Sequence, residues 1–247
     1  MEIKIVNKYI RGNIHLTKVD AEYPDNKLTG ATFEVYKDSN GSGKLDDGDK
    51  LLGTLTEKEI GSYEMKDLFY GRYFVKETKA PEGFVLDTGV YEVMIDTDGK
   101  TCEVENKAGV GFINEAMRGN LKIVKTSSDG KIKGFAFRIT GANGYDIILE
   151  TNDKGEIVIE GIRIGDYTVS EVSNSASAMY VLPADKKATV KTGSTTIVEM
   201  HNVLRDTPKT GDATNLPLLY ALAGLSAVGI AVTAFVGFKK KKKEGND

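Results

Sequence analysis

The sequence has few of the residues that most active sites and metal centres use. It contains one cysteine, two histidines and no tryptophan in 247 residues. Cys102 therefore has no partner for an intrachain disulfide, and two isolated histidines do not form a metal-binding cluster. No Ser-His-Asp or Cys-His spacing is visible, which argues against an enzyme that acts on other molecules. If such a chain is exported, something other than an intrachain disulfide must stabilise its fold.

An excess of charge of one sign is also lacking. The chain has 33 Lys and Arg against 36 Asp and Glu, a formal net charge of −3, and the charges are evenly spread. This balance does not suggest a nucleic-acid partner. Many short alternating segments separated by turns rich in the 27 glycines favour an all-β chain.

The sequence contains an internal repeat, marked by the recurrence of Asn, Arg-Gly-Asn and Lys at the same spacing. Asn7 is followed eleven positions later by Lys18, and Asn114 is followed eleven positions later by Lys125, with Arg-Gly-Asn between them in both copies. Asn114 lies 107 positions after Asn7 (114 − 7), and such a period indicates tandem domains. About seven short strands in each repeat predict β-sandwiches of roughly 90 to 100 residues.

The expected fold class is therefore all-β, with two tandem immunoglobulin-like β-sandwich domains followed by a C-terminal transmembrane helix. Asn7 corresponds to Asn114 and is predicted to end an earlier repeat, and the first ten residues contain no signal peptide. We therefore expect the chain to begin partway through a longer array. The expected divisions are a remnant strand (1–9), two domains (10–117 and 118–205), a linker (206–215), a transmembrane helix (216–238) and a basic tail (239–247).

Each repeat places three polar residues at the ends of apolar strand faces. Strand parity puts Ile14, Leu16 and Lys18 on one face, and the same parity test applies to the other positions. A strand end that reaches water is the ordinary explanation for one such residue. The same order of Lys, Glu and Asn in both repeats argues against that explanation, because burying a lone Lys or Glu costs several kcal/mol. The residues are Lys18, Glu77 and Asn114 in repeat one, and Lys125, Glu171 and Asn202 in repeat two.

These residue types can react with one another in an apolar environment. Burial favours a neutral lysine amine, which is a nucleophile, and a protonated glutamate, which can donate a proton to an amide. Attack of the amine on the Asn carboxamide would release ammonia and leave a Lys–Asn amide bond. The step needs proximity and no cofactor.

The repeats resemble the Cna B-type (prealbumin-like, SpaA-like) domains of Gram-positive surface proteins and pilins. The resemblance rests on Lys18, on Gly30-Ala31-Thr32-Phe33, on the pilin E-box-like segment from Tyr73 to Phe84, and on Asn114. It implies a Lys18–Asn114 isopeptide bond assisted by Glu77, and a Lys125–Asn202 bond assisted by Glu171. Repeat two departs from the family pattern after Glu171, where Val172-Ser173-Asn174 replaces Thr-Lys-Ala-Pro.

The C-terminus combines three features of a membrane-held precursor. Leu216 to Phe238 is an uncharged stretch of 23 residues, long enough for one membrane-spanning helix. Lys239 to Lys243 follow it and orient that end toward the cytoplasm; a nucleic-acid patch is the alternative for this run. Thr207-Pro208-Lys209-Thr210-Gly211 resembles a sortase sorting signal, with Thr207 where Leu is usual. The resemblance implies cleavage between Thr210 and Gly211, and a plain single-span protein is the alternative.

One acidic loop matches a calcium-binding pattern. Asp38 to Asp49 places oxygen side chains and a glycine at the spacing of a twelve-residue calcium loop, with Asp49 where Glu is usual. The candidate ligands are Asp38, Asn40, Ser42, Asp46 and Asp49. The alternative is a solvated, glycine-rich hairpin insertion.

The sequence thus predicts a cell-wall-anchored adhesin stalk or accessory pilin subunit with a mechanical role. The expected partners are sortase, peptidoglycan or other pilin subunits, and a host extracellular ligand if a binding domain exists upstream. Alternatives are a backbone pilin, or a ligand-binding adhesin whose binding domain lies elsewhere. The family's backbone pilins pair a Trp with Tyr-Pro-Lys, whereas this chain has no Trp and reads Tyr23-Pro24-Asp25.

Overall fold

The chain folds into two β-rich units. The computed structural model describes residues 8–205, and the boundary between the units falls between Gly119 and Asn120. Each unit contains two sheets with an apolar core. The prediction of an all-β chain with two β-sandwich domains is confirmed.

The first unit contains nine strands within the described residues. They are β1 (Arg11–Asp20), β2 (Thr32–Lys37), β3 (Lys50–Thr54), β4 (Thr56–Glu59), β5 (Ser62–Phe69), β6 (Gly71–Lys79), β7 (Val90–Ile95), β8 (Thr101–Glu103) and β9 (Phe112–Asn114). One sheet has the order β4-β5-β1-β8, with β9 also paired to β1, and the other has the order β3-β2-β6-β7.

The second unit has eight strands and one short helix within the described residues. They are β10 (Arg118–Ser127), β11 (Ala136–Thr140), the 3-10 helix η1 (Ala142–Gly144), β12 (Asp146–Glu150), β13 (Glu156–Arg163), β14 (Gly165–Val172), β15 (Tyr180–Val181), β16 (Lys186–Val190) and β17 (Thr195–Leu204). The sheets have the orders β13-β10-β17-β15 and β12-β11-β14-β16. The arrangement repeats that of the first unit with fewer strands.

The first and last strands of each unit lie side by side and run in the same direction. β1 pairs in parallel with β8 and then with β9, and β10 pairs in parallel with β17 over eight residue pairs. The C-terminal ends of the two strands therefore lie at the same end of the sheet. This pairing brings residues that are almost a whole repeat apart in sequence next to each other.

Strand alternation accounts for the cores. β1 alternates half-buried and buried positions along most of its length, and its buried residues include Ile14 and Leu16. In the first unit Phe33 packs edge to face against Phe112, with ring centroids 4.9 Å apart, a geometry that aromatic rings favour. A tyrosine near the start of β6 and another near the start of β14 each hydrogen-bond back four residues, from Tyr73 to the Phe69 carbonyl and from Tyr167 to the Arg163 carbonyl.

Candidate functional site: a buried lysine, glutamate and asparagine in each unit

In the first unit, Lys18, Glu77 and Asn114 are buried together; they are called the unit-1 triad below. Lys18 and Glu77 have no exposed surface, and Asn114 is 3% exposed. Lys18 lies on β1 and Asn114 on β9 in one sheet, whereas Glu77 lies on β6 in the facing sheet. The three side chains therefore meet in the core between the sheets.

The parallel pairing of β1 with β9 sets the register of the reactive residues. Lys18 is opposite Phe112, and Asp20 is opposite Asn114. Since side chains alternate along a strand, Lys18 and Asn114 lie on the same face of the sheet, and Asn114 is two residues further along its strand than the residue opposite Lys18. The Lys18 Nζ donates to the Phe112 carbonyl at 3.0 Å, so the amine already points at the strand that carries Asn114.

Glu77 holds the side chain of Asn114. The Asn114 Nδ2 donates to Glu77 Oε2 at 2.8 Å and also donates to the Val85 carbonyl. The backbone N–H of Asp87 donates to the same Glu77 oxygen at 2.8 Å. Two donors on one carboxylate oxygen fix the glutamate beside the nitrogen of the Asn carboxamide.

Burial shifts both titratable groups of the unit-1 triad toward their neutral forms. Desolvation lowers the pKa of Lys18 to about 8, although the nearby carboxylates Glu77, Asp87 and Asp20 oppose this shift. Desolvation also raises the pKa of Glu77, against the hydrogen bonds from Asn114 and Asp87 and the charge of Lys18. The lowered pKa of Lys18 increases the fraction of its amine that is neutral and therefore nucleophilic near neutral pH.

The second unit repeats the arrangement with Lys125, Glu171 and Asn202, the unit-2 triad. Lys125 is opposite Met200 and Ser127 is opposite Asn202, which is the same register as in the first unit. The Asn202 Nδ2 donates to Glu171 Oε1 at 2.6 Å. Burial lowers the pKa of Lys125 and raises the pKa of Glu171.

The two lysines differ in their contacts. Lys125 Nζ donates to the carbonyl of its own neighbour, Thr126, and lies 4.2 Å from the centre of the Phe135 ring. Lys18 Nζ instead donates across to the last strand. The unit-1 lysine is therefore directed toward its partner strand more closely than the unit-2 lysine.

A glycine in a left-handed conformation lies against the backbone of each lysine. Gly61 (φ +71°) accepts a hydrogen bond from the Lys18 N–H at 2.7 Å, and Gly155 (φ +73°) accepts one from the Lys125 N–H at 2.8 Å. A Cβ atom at Gly61 would be 2.7 Å from the Lys18 carbonyl oxygen, and one at Gly155 would be 2.9 Å from that of Lys125. Only glycine fits such a close approach at positive φ. The glycine backbone thus holds the strand segment that carries each lysine in place.

Each triad also contains buried polar atoms that have no hydrogen-bond partner within residues 8–205. In the first unit they are Glu77 Oε1 and Asn114 Oδ1, and in the second Glu171 Oε2 and Asn202 Oδ1. Buried polar groups are normally paired, because an unsatisfied group costs about 1 to 3 kcal/mol. The same atoms are unpaired in both units, so the arrangement is a repeated feature and suits groups that react with each other.

Three residues beside the unit-1 triad were missed in the sequence. Asp87 and Tyr91 lie in and after the loop that follows β6, and Asn106 lies in the segment between β8 and β9. Asp87 accepts hydrogen bonds from Tyr91 and from Asn106, at 2.8 and 2.7 Å. No repeat signal marks Asp87 and Asn106, since they lie in loops that differ between the repeats, whereas Tyr91 shares the strand parity of the buried Val93 and Ile95 on β7.

The structure brings together one serine, histidine and acid that the sequence does not reveal as a group. His15 Nδ1 is 2.7 Å from Glu103 Oε2, and its Nε2 is 2.9 Å from Ser62 Oγ. The three residues lie on neighbouring strands β5, β1 and β8, on a face of the sheet where His15 and Ser62 are half-buried and Glu103 is exposed. A serine nucleophile also needs donors for an oxyanion and a cleft for substrate, and an open sheet face supplies neither.

The acidic loop between β2 and β3 closes on itself. Asp38, Asn40, Asp46 and Asp49 each accept hydrogen bonds from backbone N–H groups of the loop, and Ser42 donates to a loop carbonyl. Within residues 8–205, no group of three or more His, Cys, Asp or Glu side chains is placed to hold a metal ion. Calcium requires about six to eight oxygens directed at one point. The calcium assignment of this loop stays a prediction, beside the alternative of a hydrogen-bonded hairpin insertion.

The predicted sorting signal (207–211), transmembrane helix (216–238) and basic tail (239–247) lie outside the described residues. In the described part of the chain, no helix is long and apolar enough to cross a membrane.

Comparison with known proteins points to one domain family. A family model described as the SpaA prealbumin-like fold domain matches residues 12–108 and 119–204. The trypsin-resistant surface T6 protein of Streptococcus pyogenes serotype M6 is 26% identical over 204 residues, which are 70% of this chain and 35% of the T6 protein. This chain therefore spans about a third of the length of that relative.

Solved structures that are similar to this chain include proteins of Bacillus anthracis and Streptococcus agalactiae. The Bacillus anthracis TIE protein matches with a TM-score of 0.57 and 23% identity, over 79% of this chain and 34% of that chain. The minor pilin of Streptococcus agalactiae covers 81% of this chain and 99% of its own, at 18% identity and a TM-score of 0.37. The similarity to the TIE protein shows the fold alone.

Proposed function

Because the chain belongs to the SpaA prealbumin-like domain family, we propose that it is a pilin-like protein of the Gram-positive cell surface. Its role is mechanical: it is a stalk or accessory pilin subunit whose domains are closed by internal Lys–Asn isopeptide bonds. The single observation that carries this proposal is the buried Lys, Glu and Asn found in the same register in both units. The surface location is supported by the match to a streptococcal surface protein. The proposed domains are residues 10–117 and 118–205.

The reaction is an intramolecular amide exchange. The neutral Lys18 amine adds to Cγ of Asn114, the new Nζ–Cγ bond forms, and the Cγ–Nδ2 bond breaks. Glu77 passes a proton to the departing Nδ2, which leaves as ammonia, and takes a proton from Nζ. The hydrogen bond between Glu77 and Asn114 Nδ2 supports this assignment because it places the acid beside the leaving nitrogen. Lys125, Glu171 and Asn202 carry out the same exchange in the second unit.

The location of the bond gives it a mechanical role. Lys18 lies near the start of the first unit and Asn114 near its end, on adjacent parallel strands. Tension entering at β1 would leave through β9 by way of a covalent bond, so the strands between them would carry little load. We propose the same path from Lys125 to Asn202.

Peptide mapping tests the crosslinks one at a time. In a digest of the wild type, we expect a branched peptide joining Lys18 to Asn114 and another joining Lys125 to Asn202. Glu77→Gln should remove the first and keep the second, and Glu171→Gln should do the reverse, because an amide side chain cannot transfer the proton. Glu82→Gln, which changes an exposed glutamate of the first unit, is the matched control. Recovery of all four residues in linear wild-type peptides would contradict the proposal.

We further propose that sortase attaches the chain to peptidoglycan or to another pilin subunit through Thr210. This rests on the sequence Thr207-Pro208-Lys209-Thr210-Gly211 followed by the apolar stretch and the lysine run. The apolar stretch would hold the precursor in the membrane, with the lysines on the cytoplasmic side.

A Thr210→Ala variant should stay in the membrane fraction of a sortase-expressing Gram-positive host, whereas the wild type should be covalently bound in the cell-wall or pilus fraction. The physical reason is that the proposed acyl transfer occurs at the Thr210 carbonyl and needs that residue in the enzyme's site. Fractionation followed by detection of the domains measures the outcome. Thr207→Leu, which restores the usual first residue, should remain anchored. Equal anchoring of Thr210→Ala and the wild type would exclude this attachment point.

A further inference from the structure

A second hydrogen-bonded network joins the two loops beside the unit-1 triad. Its members are Asp87, Tyr91 and Asn106, called the Asp87 clamp below. Asp87 Oδ2 accepts from the Tyr91 hydroxyl at 2.8 Å and from Asn106 Nδ2 at 2.7 Å, and Asp87 Oδ1 accepts from the Gly89 N–H at 2.6 Å. These residues also line a cavity of about 340 Å³ that borders Asn114. The clamp therefore lies directly beside Asn114.

The side-chain amide of Asn106 makes the hydrogen bonds to β9 that a neighbouring strand would make. Its Oδ1 accepts from the Ile113 N–H at 2.6 Å, and its Nδ2 donates to the Ile113 carbonyl at 2.9 Å. This pair of bonds copies the way one β-residue pairs with another. β9 is only three residues long, so the side chain of Asn106 supports the residue directly before Asn114 on the edge of β9 away from β1.

The other end of the clamp holds Glu77 and the carboxamide. The loop that contains Asp87 supplies both the N–H that binds Glu77 and, at Val85, the carbonyl that accepts from Asn114 Nδ2. The Asp87 carboxylate ties this loop to Asn106. One network thus sets the position of the acid and of the strand that carries the carboxamide.

The second unit reaches the same register by other means. β17 has ten residues and pairs with β10 along eight consecutive positions, so the strand ladder fixes the backbone of Asn202. Glu171 receives its hydrogen bond from Asn202, and its second oxygen has no partner among the described residues. Glu77, by contrast, receives a further backbone N–H from the clamped loop.

We propose that Asn106 and Asp87 are positioning residues for the Lys18–Asn114 crosslink, and that their network makes this crosslink form faster than the Lys125–Asn202 crosslink. The inference rests on the proposed isopeptide chemistry and adds residues that do not themselves react. Small displacements of reacting groups have large effects on rate, since a misplacement of about 1 Å can cost on the order of 100-fold.

Asp87 also acts through its charge. The charged or titratable groups around Lys18 and Glu77 are Asp20 on β1, Asp87 in the loop and Tyr91 on β7. The Asp87 carboxylate raises the pKa of Lys18 and that of Glu77. Removing its charge therefore lowers both pKa values, and both limbs of the pH–rate profile should move to lower pH.

The test follows both crosslinks in the same full-length chain, kept in solution with a mild non-ionic detergent. Unlinked chain recovered in denaturant is refolded by dilution into buffers that span the titration of Lys18 and Glu77. Samples are quenched at intervals, digested and analysed for the two branched peptides, while circular dichroism follows folding. The variants are Asn106→Ala and Asp87→Asn. Their matched controls are Asn26→Ala and Asp47→Asn, which change exposed residues of the same unit.

In the wild type, the Lys18–Asn114 link should form before the Lys125–Asn202 link. Asn106→Ala should slow the Lys18–Asn114 link by about 10- to 100-fold and leave the other link unchanged. Asp87→Asn, which keeps the shape of the side chain, should move the pH profile of the first link alone to lower pH. Rates within twofold of the wild type and an unshifted profile for both variants would overturn the inference, as would equal slowing of both links. If the wild type forms neither link, the proposed function itself fails.

Discussion

A chain carrying Glu77→Gln is expected to unfold its first unit roughly 20 to 40 °C below the wild type, with the second unit unchanged. The variant keeps the size and hydrogen-bonding reach of the side chain but cannot exchange protons, so the amide bond between Lys18 and Asn114 does not form. By analogy with a disulfide that closes a loop of about 100 residues, the lost crosslink contributes about 4 to 5 kcal/mol. Each kcal/mol corresponds to about 4 to 8 °C in a domain of this size.

Differential scanning calorimetry measures this effect with an internal reference. The second unit supplies its own transition, and Glu171→Gln should move that transition while leaving the first in place. Glu82→Gln removes the same charge from an exposed position of the first unit and should leave both transitions where they are. A Glu77→Gln transition that coincides with that of the wild type would mean that the side chain has no part in a stabilising crosslink.

Under stretching force, the first unit of the wild type is expected to contribute almost no extension between Lys18 and Asn114, whereas Lys18→Arg should release that segment. The segment spans 96 peptide steps (114 − 18), and a fully extended chain covers about 3.3 to 3.6 Å per residue. Unfolding of the variant unit should therefore add roughly 300 Å of contour length. Arginine keeps a long cationic side chain but is not a nucleophile at ordinary pH.

Single-molecule force spectroscopy, with handles outside the two units, counts these extensions directly. Lys27→Arg changes an exposed lysine of the same unit and should behave like the wild type. Lys125→Arg should release the second unit and leave the first closed. A wild-type trace with the same contour-length gain as Lys18→Arg would exclude a covalent bond between β1 and β9.

The alternation of side chains along the strands made it possible to predict that the lysine, glutamate and asparagine of the first unit are buried. The parity of Ile14, Leu16 and Lys18 placed the lysine on the apolar face, and the structure has all three residues buried. The same reasoning placed Glu77 and Asn114, which are also buried. Parity works here because each of these strands has one face in the core and one toward solvent.

The short strands were not predictable from the same signals. β4 (Thr56–Glu59), β8 (Thr101–Glu103) and β15 (Tyr180–Val181) have four, three and two residues, too few for an alternation to be recognised. The expectation of about seven strands in each repeat was therefore too low: the described residues have nine in the first unit and eight in the second. The predicted last strand of repeat one, from Val110 to Asn114, is shorter in the structure, where β9 begins at Phe112.

The Asp87 clamp shows why loop contributions to a site escape sequence analysis. Asp87 and Asn106 are polar residues in polar segments, as is usual for loops. Their role depends on which backbone groups they contact, and Asn106 contacts the N–H and the carbonyl of Ile113 on β9. The acidic loop keeps both of its interpretations, because its spacing fits a calcium pattern and its side chains also bond to the loop backbone.

The intact mass of the two-unit region tests the central claim most directly. Each Lys–Asn bond releases one ammonia, so the purified wild type should be about 34 Da lighter than its sequence mass. The double variant Glu77→Gln with Glu171→Gln should match its own sequence mass, and each single variant should be about 17 Da light. A wild-type mass equal to the sequence mass would contradict the account.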